Sequence, residues 1–428
     1  MENIKLILKG NPASPGIATG PVKVILSARE IHRIEYGDVL VAPHTSPDYV
    51  PAMRRASAIV TDHGGVTSHA AIVAREFGIP CVVGASVATG RLKTDLLVTV
   101  NGATGEVFRG RMVGAVTKPL VDYSPSFYKT KTKLYVNLAE PERAEEVAKM
   151  DVDGVGLLRA EFIIAQIGTH PKRIIKDGKQ NIFINKLAEN LKIFCEQFNP
   201  RPVIYRLSDF KTNEYRNLKG GSVFEPEEEN PMLGFRGAYR FIKDPQVLKL
   251  EVEAIKKVRN TYGFKNLWVM VPYVRTVNEL IKIKKLLSSF GLVRSSSFKL
   301  WMMVEIPSNV ILLEDFLAVG LDGISIGSND LTMLTLGTDR DNSELATVFD
   351  ERDPAVLRSI EKVIKTCRKF KVSSSICGQA PSTYPEIVEN LVRLGIASIS
   401  INSDGVVNAR ETVYNSERKI QKKSIRKL

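Results

Sequence analysis

From residue 133 onward, short strand-forming runs alternate with longer helical stretches, and the alternation repeats eight times. The runs fall at 133–138, 155–158, 203–207, 267–272, 300–305, 323–326, 373–377 and 397–401. Helical pattern lies between them, for example at 277–290, 354–370 and 384–394. Such a chain is α/β with parallel strands, and eight repeats predict a (β/α)8 TIM barrel. A doubly wound sheet is the competing architecture. The placement of polar residues favours the barrel: Arg159, Arg206, Glu305, Asn329, Asp330 and Cys377 cluster just after the runs. Ligands sit at strand ends in both architectures, but eight contributing strands fit a barrel better.

Residues 1–111 have a different texture, rich in Gly, Val, Ala and small polar residues. Runs at 22–26, 39–41, 58–60 and 97–100 are bounded by Gly-Pro, Pro-His and Asn-Gly turn signals, which predicts a separate small α/β domain. Residues 112–132 carry Lys118, Lys129, Lys131, two prolines and a single acid, Asp122, a composition that suits a linker. Fully extended, such a stretch spans ~65 Å, enough for the first domain to swing between two sites. The barrel is expected over 133–409. Residues 410–428 hold seven Lys/Arg against Glu411 and Glu417, and are expected to form a solvated, frayed basic tail. With Tyr414 as its one aromatic and no recognition motif, the tail argues against nucleic-acid binding.

No apolar run approaches the ~18 residues of a membrane span, and the N-terminus lacks a signal-peptide pattern. The four cysteines show no C-x-x-C spacing, and with five histidines in the chain a zinc site is not expected. A reduced, cytoplasmic protein is the expectation.

The stretch Thr61-Asp62-His63-Gly64-Gly65-Val66-Thr67-Ser68-His69-Ala70-Ala71-Ile72 runs from a strand through a Gly-Gly turn into an apolar helical face. Thr67 and Ser68 are placed to cap the helix. Its first turn offers unpaired N–H groups and a positive dipole end, a setting that favours a phosphoryl group. His69 lies in that turn. On this geometry it fits a phosphoryl acceptor and a histidine that merely packs at a helix start equally well. His63 reads as a turn residue.

The second half offers Arg159, Arg206, Asp209, Lys211, Arg236, Arg240, Glu305, Asn329, Asp330, Arg340 and Cys377. Several arginines with two acids fit a small anionic substrate held on a divalent cation. Glu305 and Asp330 offer hard oxygens for Mg2+, which keeps several water or substrate ligands. Arg240 reads as a surface or ion-pair residue, and Lys211 is undecided. Cys377 fits a buried small hydrophobe as well as a site residue, although its place after a strand and before Gly-Gln favours a site.

The run GGVTSHAAIVAREFGIPCVVG resembles the swivelling phosphohistidine domain of the phosphoenolpyruvate-utilising enzymes. That group includes phosphoenolpyruvate synthase, pyruvate phosphate dikinase and enzyme I of the sugar phosphotransferase system. The flanking segments SPGIATGPVKVI, GDVLVAPHTSPDYVPAMRRASAIVTDHGG and VNGATGEVF are similar too. Further on, GVGLLRAEFI, YRLSDFKTNEY, ENPMLGFRGAYR, WMMVEIPSNV, SIGSNDLTMLTLGTDRDN and SICGQAPS resemble the phosphoenolpyruvate/pyruvate barrel of the same enzymes. The resemblance implies that His69 carries the phosphoryl group, and that Arg159, Arg206 and Arg340 hold phosphate and carboxylate. Arg236 is a weaker member of that set. It further implies that Glu305 and Asp330 ligate Mg2+, that Gly327, Ser328 and Asn329 line the substrate site, and that Cys377 handles a proton at the methyl/methylene carbon. Val66 departs from the Arg of many relatives, and Met333 from their usual Gln.

Within the group, the short path from Ser14 to His69 has no room for the helical subdomain of enzyme I, and CGQAPS resembles the synthases. The synthases place an ATP-grasp domain before the phosphohistidine domain, and no G-x-x-x-x-G-K-[ST] loop occurs in this sequence. The resemblance thus implies phosphoryl transfer between phosphohistidine and pyruvate or phosphoenolpyruvate. It also implies a separate ATP-grasp subunit for phosphorylation by ATP, and a homodimer formed through the barrel. An enzyme I-like phosphoryl donor and a non-catalytic regulatory relative are the alternatives.

Overall fold

The computed structural model describes residues 5–66, 68–112, 128–159, 161–339, 345 and 348–425. The chain divides into two compact units. Eight strands build the first: β1 (Leu6–Lys9), β2 (Asn11–Ser14), β3 (Ile17–Val24), β4 (Val39–Ala42), β5 (Ala58–Thr61), β6 (Cys81–Val83), β7 (Leu97–Asn101) and β8 (Glu106–Arg109). They lie in the order β1-β8-β7-β3-β4-β5-β6-β2. The centre, β3 to β6, is parallel, and the flanking pairs are antiparallel. Every residue of β4 and β5 is buried, which explains why VLVA and AIVT read as unbroken apolar runs. Four strands escape the sequence pattern: β1, β2, β6 and β8 are three or four residues each, and β2 contains Pro12. At that length neither periodicity nor composition separates strand from loop.

The second unit is the expected barrel. Its strands are β9 (Lys133–Leu138), β10 (Gly154–Arg159), β11 (Val203–Arg206), β12 (Leu267–Val271), β13 (Leu300–Val304), β14 (Gly323–Gly327), β15 (Ser373–Cys377) and β16 (Ser398–Ile401). All neighbours pair in parallel, with β16 beside β9. The ring is nearly closed, with Ala397 N donating to Ser374 O across the β15–β16 seam at 3.1 Å. Inward positions at alternate residues fill the interior with Tyr135, Leu157, Ile204, Met270, Trp301, Met303 and Cys377.

The basic C-terminal stretch differs from its expectation. Instead of fraying from residue 410, it continues the helix Val406–Ile425. Arg410 is 4 % exposed and donates to Thr130 Oγ1, Asp151 O and Asp153 Oδ2, at 2.8, 2.9 and 3.0 Å. Glu417 accepts from the backbone N–H groups of Lys131 and Thr132, and Tyr414 packs on Tyr128. Residues 128–132, read as linker, are therefore tied to the barrel by this helix. Residues 113–127 of the expected linker lie outside the described residues. Among the described residues no helix is long and apolar enough to cross a membrane, and all four cysteines are free and buried.

The helix Pro245–Lys256 braces β11 through Glu251, which is fully buried. Its carboxylate accepts from Tyr205 Oη, Ser208 N and Ser208 Oγ at 2.7, 3.1 and 2.5 Å. Burial pushes its pKa up to about 7, against the pull of those three donors.

Two outcomes are expected. Arg410→Ala should lower the urea-unfolding free energy of the barrel by roughly 2 kcal/mol, because charge-assisted hydrogen bonds to buried acceptors are lost. Folded Glu251 keeps its proton to about pH 7, whereas the unfolded chain releases it near the ordinary 4.5, so its contribution to stability falls as pH rises between those values. Thermal midpoints of Glu251→Gln should therefore gain on wild type from pH 4.5 to 7, and parallel curves would contradict this assignment.

Candidate active site

The barrel's strands end in chemistry. Arg159 closes β10, Arg206 closes β11, Glu305 follows β13, Gly327 closes β14 and Cys377 closes β15. Ser328, Asn329 and Asp330 open the helix Ser328–Leu336 directly after β14. Two side chains unite these ends. Glu161, in the first turn after β10, accepts from Arg206 Nη2 at 2.8 Å and from Asp209 N at 2.7 Å. Arg236, 4 % exposed, grips both oxygens of Asp209 at 3.0 and 2.5 Å and reaches Asp330 Oδ2 at 3.1 Å. Its guanidinium lies over the Tyr273 ring, 3.9 Å from the centroid.

Glu305, 2 % exposed, accepts from Tyr273 N at 2.6 Å. Asn309 fixes the turn that carries it, accepting from the N–H groups of Glu305 and Ile306 and donating to Val274 O. Burial, then the negative charges of Asp330 and Asp209, push the Glu305 carboxyl up to about 8, although Arg236 and Arg206 oppose the rise. Burial works against the Arg206 and Arg236 cations too. The surrounding carboxylates outweigh it and hold both arginines charged well above their ordinary range. Among the described residues no three His, Cys, Asp or Glu side chains gather closely enough to hold a metal ion. A buried Glu305 whose pKa is raised by the charge of Asp330 does fit a divalent cation bound by these two carboxylates, with water or substrate oxygens completing the shell.

Cys377 is 2 % exposed. Ser325 Oγ donates to its sulfur at 3.3 Å, and the sulfur lies 3.6 Å from Ile326 O. Burial pushes the thiol up to about 11, with Ser325 pulling the other way. The next residue, Gly378, has φ of 120°, and a Cβ there would sit 2.2 Å from Ser328 Oγ. Only glycine allows Ser328 Oγ to approach within 3.2 Å of Cys377 O.

In the first unit, His69 opens the helix His69–Phe77, which ends on left-handed Gly78. The ring is partly exposed, and its Nδ1 lies 2.9 Å from Thr45 Oγ1 on the loop after β4. Ser68 is the N-cap but makes no capping hydrogen bond with its side chain, contrary to expectation. Arg75 Nη2 donates to Val66 O. His63 is exposed, as a turn residue should be.

The structure thus brings Arg206, Arg236, Glu305 and Asp330 into one charged network, with Asp209 at its centre. Arg340 and Thr67 lie outside the described residues. Arg240, read as a surface or ion-pair residue, is an ion-pair residue but not a surface one: it is buried and grips Glu225 at 2.6 and 2.9 Å, and Glu225 also meets His170 Nε2. Lys211 pairs with Glu214. Sequence reasoning missed Glu161, Tyr273, Asn309 and Glu351, which accepts from Ser328 Oγ at 2.6 Å. Glu161, an acid two residues beyond Arg159, carried a legible signal.

Comparison with known proteins bears on both units. The family model for the PEP-binding domain of PEP-utilising enzymes matches residues 121–418, and the one for their mobile domain matches residues 34–105. The chain is 48 % identical to a probable phosphoenolpyruvate synthase of Staphylothermus marinus, over 100 % of this chain and 54 % of that protein. It is 49 % identical to the phosphoenolpyruvate synthase of Aeropyrum pernix, over 99 % and 54 %. For the phosphoenolpyruvate synthase of Pseudomonas aeruginosa the figures are 44 %, 95 % and 54 %. The chain spans about half the length of these relatives. With its barrel and its histidine-bearing unit both matched, the chain belongs to the PEP-utilising enzymes.

Proposed function

We propose that this chain carries a phosphoryl group on His69 and exchanges it with pyruvate and phosphoenolpyruvate at the barrel's strand ends. This is the half-reaction expected of a phosphoenolpyruvate synthase. The observation that carries the reading is the buried network of Glu305, Asp330 and Asp209 against Arg206 and Arg236. It joins arginine forks to metal-seeking carboxylates, a frame suited to a small acid bearing both carboxylate and phosphate.

Arg159, Arg206 and Arg340 take the substrate's carboxylate and phosphate oxygens in forked contacts. Arg236 serves mainly to hold Asp209 and Asp330 in place. Glu305 and Asp330 hold Mg2+, which supplies positive charge where the enolate develops. Gly327, Ser328 and Asn329 line the substrate. Cys377, kept as a thiol by burial, gives its proton to the methylene carbon as the phosphoryl group leaves, and its thiolate removes a methyl proton in the reverse direction. In the first unit, Nδ1–H of His69 donates to Thr45 Oγ1, which leaves the lone pair of Nε2 as the nucleophile. The O–P bond of phosphoenolpyruvate breaks as the N–P bond forms. Of the expected linker 112–132, the part before Tyr128 serves as the tether on which His69 travels, since residues 128–132 are held by the barrel's last helix. An ATP-grasp module phosphorylates His69 from ATP, and the barrel forms a homodimer.

Incubation of the pure protein with 32P-labelled phosphoenolpyruvate and Mg2+ tests the reading. Wild type should take up acid-labile label with release of pyruvate, and His69→Ala should take up none. Thr45→Val should slow labelling about tenfold, since it frees the ring to adopt the unreactive tautomer. No label on wild type, or equal label on His69→Ala, would overturn the proposal.

A further inference from the structure

A chain of amide side chains crosses the barrel mouth where backbone pairing is thinnest. The β15–β16 seam is spanned near its lower end by Ala397 N and Ser374 O. At the upper end the contacts are made by side chains. Ser400 Oγ on β16 donates to Asn137 Oδ1 on β9 at 2.8 Å. Asn137 Nδ2 donates to Asn402 Oδ1 at 3.3 Å, and Asn402 Nδ2 donates to Gln379 Oε1 at 3.1 Å. Gln379 Nε2 donates to Thr383 Oγ1, and Gln379 N donates to Asn329 Oδ1 at 3.1 Å. Asn402 N adds a bond to Ser382 Oγ. The series therefore links β9, β16, the turn after β15 and the helix after β14.

The orientation of Asn329 is fixed, because its partner is a backbone N–H. Gln379 N can only donate, so the atom of Asn329 that meets it must be the carbonyl oxygen. The amide nitrogen of Asn329 is then presented on the opposite side, as a donor. A donor is what an anionic substrate requires of that residue. Both ends of the Gln379 amide are occupied by Asn402 and Thr383, so its side chain is engaged in holding the turn rather than in meeting a ligand. Its position, two residues past Cys377, couples that turn to the thiol as well.

We infer that Gln379 and Asn402 are positioning residues: together they close the barrel seam and set Asn329 and the Cys377–Gly378 turn for the reaction. The inference rests on the proposed function for what is being positioned, and on the hydrogen bonds alone for the closure. Truncating either amide removes the Asn402–Gln379 side-chain link across the seam without touching an arginine or an acid, and leaves only the bonds donated by Ala397 N and Asn402 N. A misplacement near 1 Å at reacting groups costs up to about a hundredfold in rate, whereas overall substrate affinity depends on the charged frame.

The test uses Gln379→Ala, Asn402→Ala and Gln379→Glu in the full chain, with two readouts. The first is labelling by 32P-phosphoenolpyruvate with Mg2+, taken to saturation. Both alanine variants should lose about tenfold or more in maximal rate while the half-saturating concentration moves less than about twofold. Gln379→Glu should stay near wild type, since a carboxylate accepts from Asn402 Nδ2 and from the Thr383 hydroxyl. The second is amide hydrogen exchange over residues 377–382, which should accelerate in the alanine variants irrespective of activity. Wild-type rates in both alanine variants, or a change confined to half-saturation, would overturn the positioning role. Unchanged exchange would overturn the closure. If Gln379→Ala does not fold, Asn402→Ala, which keeps Gln379, gives the same decision. Wild type that takes no label while exchange responds as expected would instead count against the proposed function.

Discussion

Three carboxylates buried at the same end of the barrel are the constraint around which it is organised. Glu305, Asp330 and Asp209 each lie at or just past a strand end, in a medium where like charges repel far more strongly than in water. Left unpaired they would destabilise the fold. Arg236 relieves two of them directly, and Arg206 contributes at longer range. Glu305 still carries the excess, which is why its carboxyl holds a proton to about pH 8. A site that keeps a carboxylate in reserve in this way is prepared for a cation that is not part of the chain.

The long segment after β11 makes sense as scaffolding for that cluster. Arg236 stands far from β11 in sequence, so the loop that delivers it must be fixed. Glu251 holds Ser208, Glu161 holds the backbone of Asp209, and Glu228 accepts from Thr212 and Phe235. Glu225, clasped between His170 and Arg240, pins the middle of the loop, and Arg275 donates to the carbonyls of Leu233, Gly234 and Arg236. Buried acids thus meet backbone or arginine partners all along the segment, so the loop has little freedom to relax.

Much of this was legible beforehand, because barrel strands buried on both faces leave apolar runs and their ends leave isolated polar residues. Strands 133–138 and 373–377 match the observed bounds, and the others differ by one or two residues. Glu305 and Asp330 stood out as acids after apolar runs, whereas His69 and Cys377 fitted plain packing roles on local pattern and were singled out by the motifs that resemble the family. What stayed hidden has a common physical character. Tyr273, Asn309, Gln379 and Asn402 act through partners distant in sequence, and nothing in their own neighbourhoods announces those partners. Arg410 read as a surface charge and Arg240 as a surface or ion-pair residue, since composition cannot distinguish a solvated arginine from one clasped by buried acceptors. The short outer strands of the first unit were hidden by length alone.

If the crowded acids await a cation, then cation and substrate must bind together. Isothermal titration with oxalate, a planar dianion shaped like the enolate of pyruvate, reads this without any turnover. The account predicts that oxalate binds wild type only when Mg2+ is present, that each ligand tightens the other, and that Glu305→Gln loses the coupling. Oxalate binding of equal strength with and without Mg2+, or coupling that survives Glu305→Gln, would contradict it.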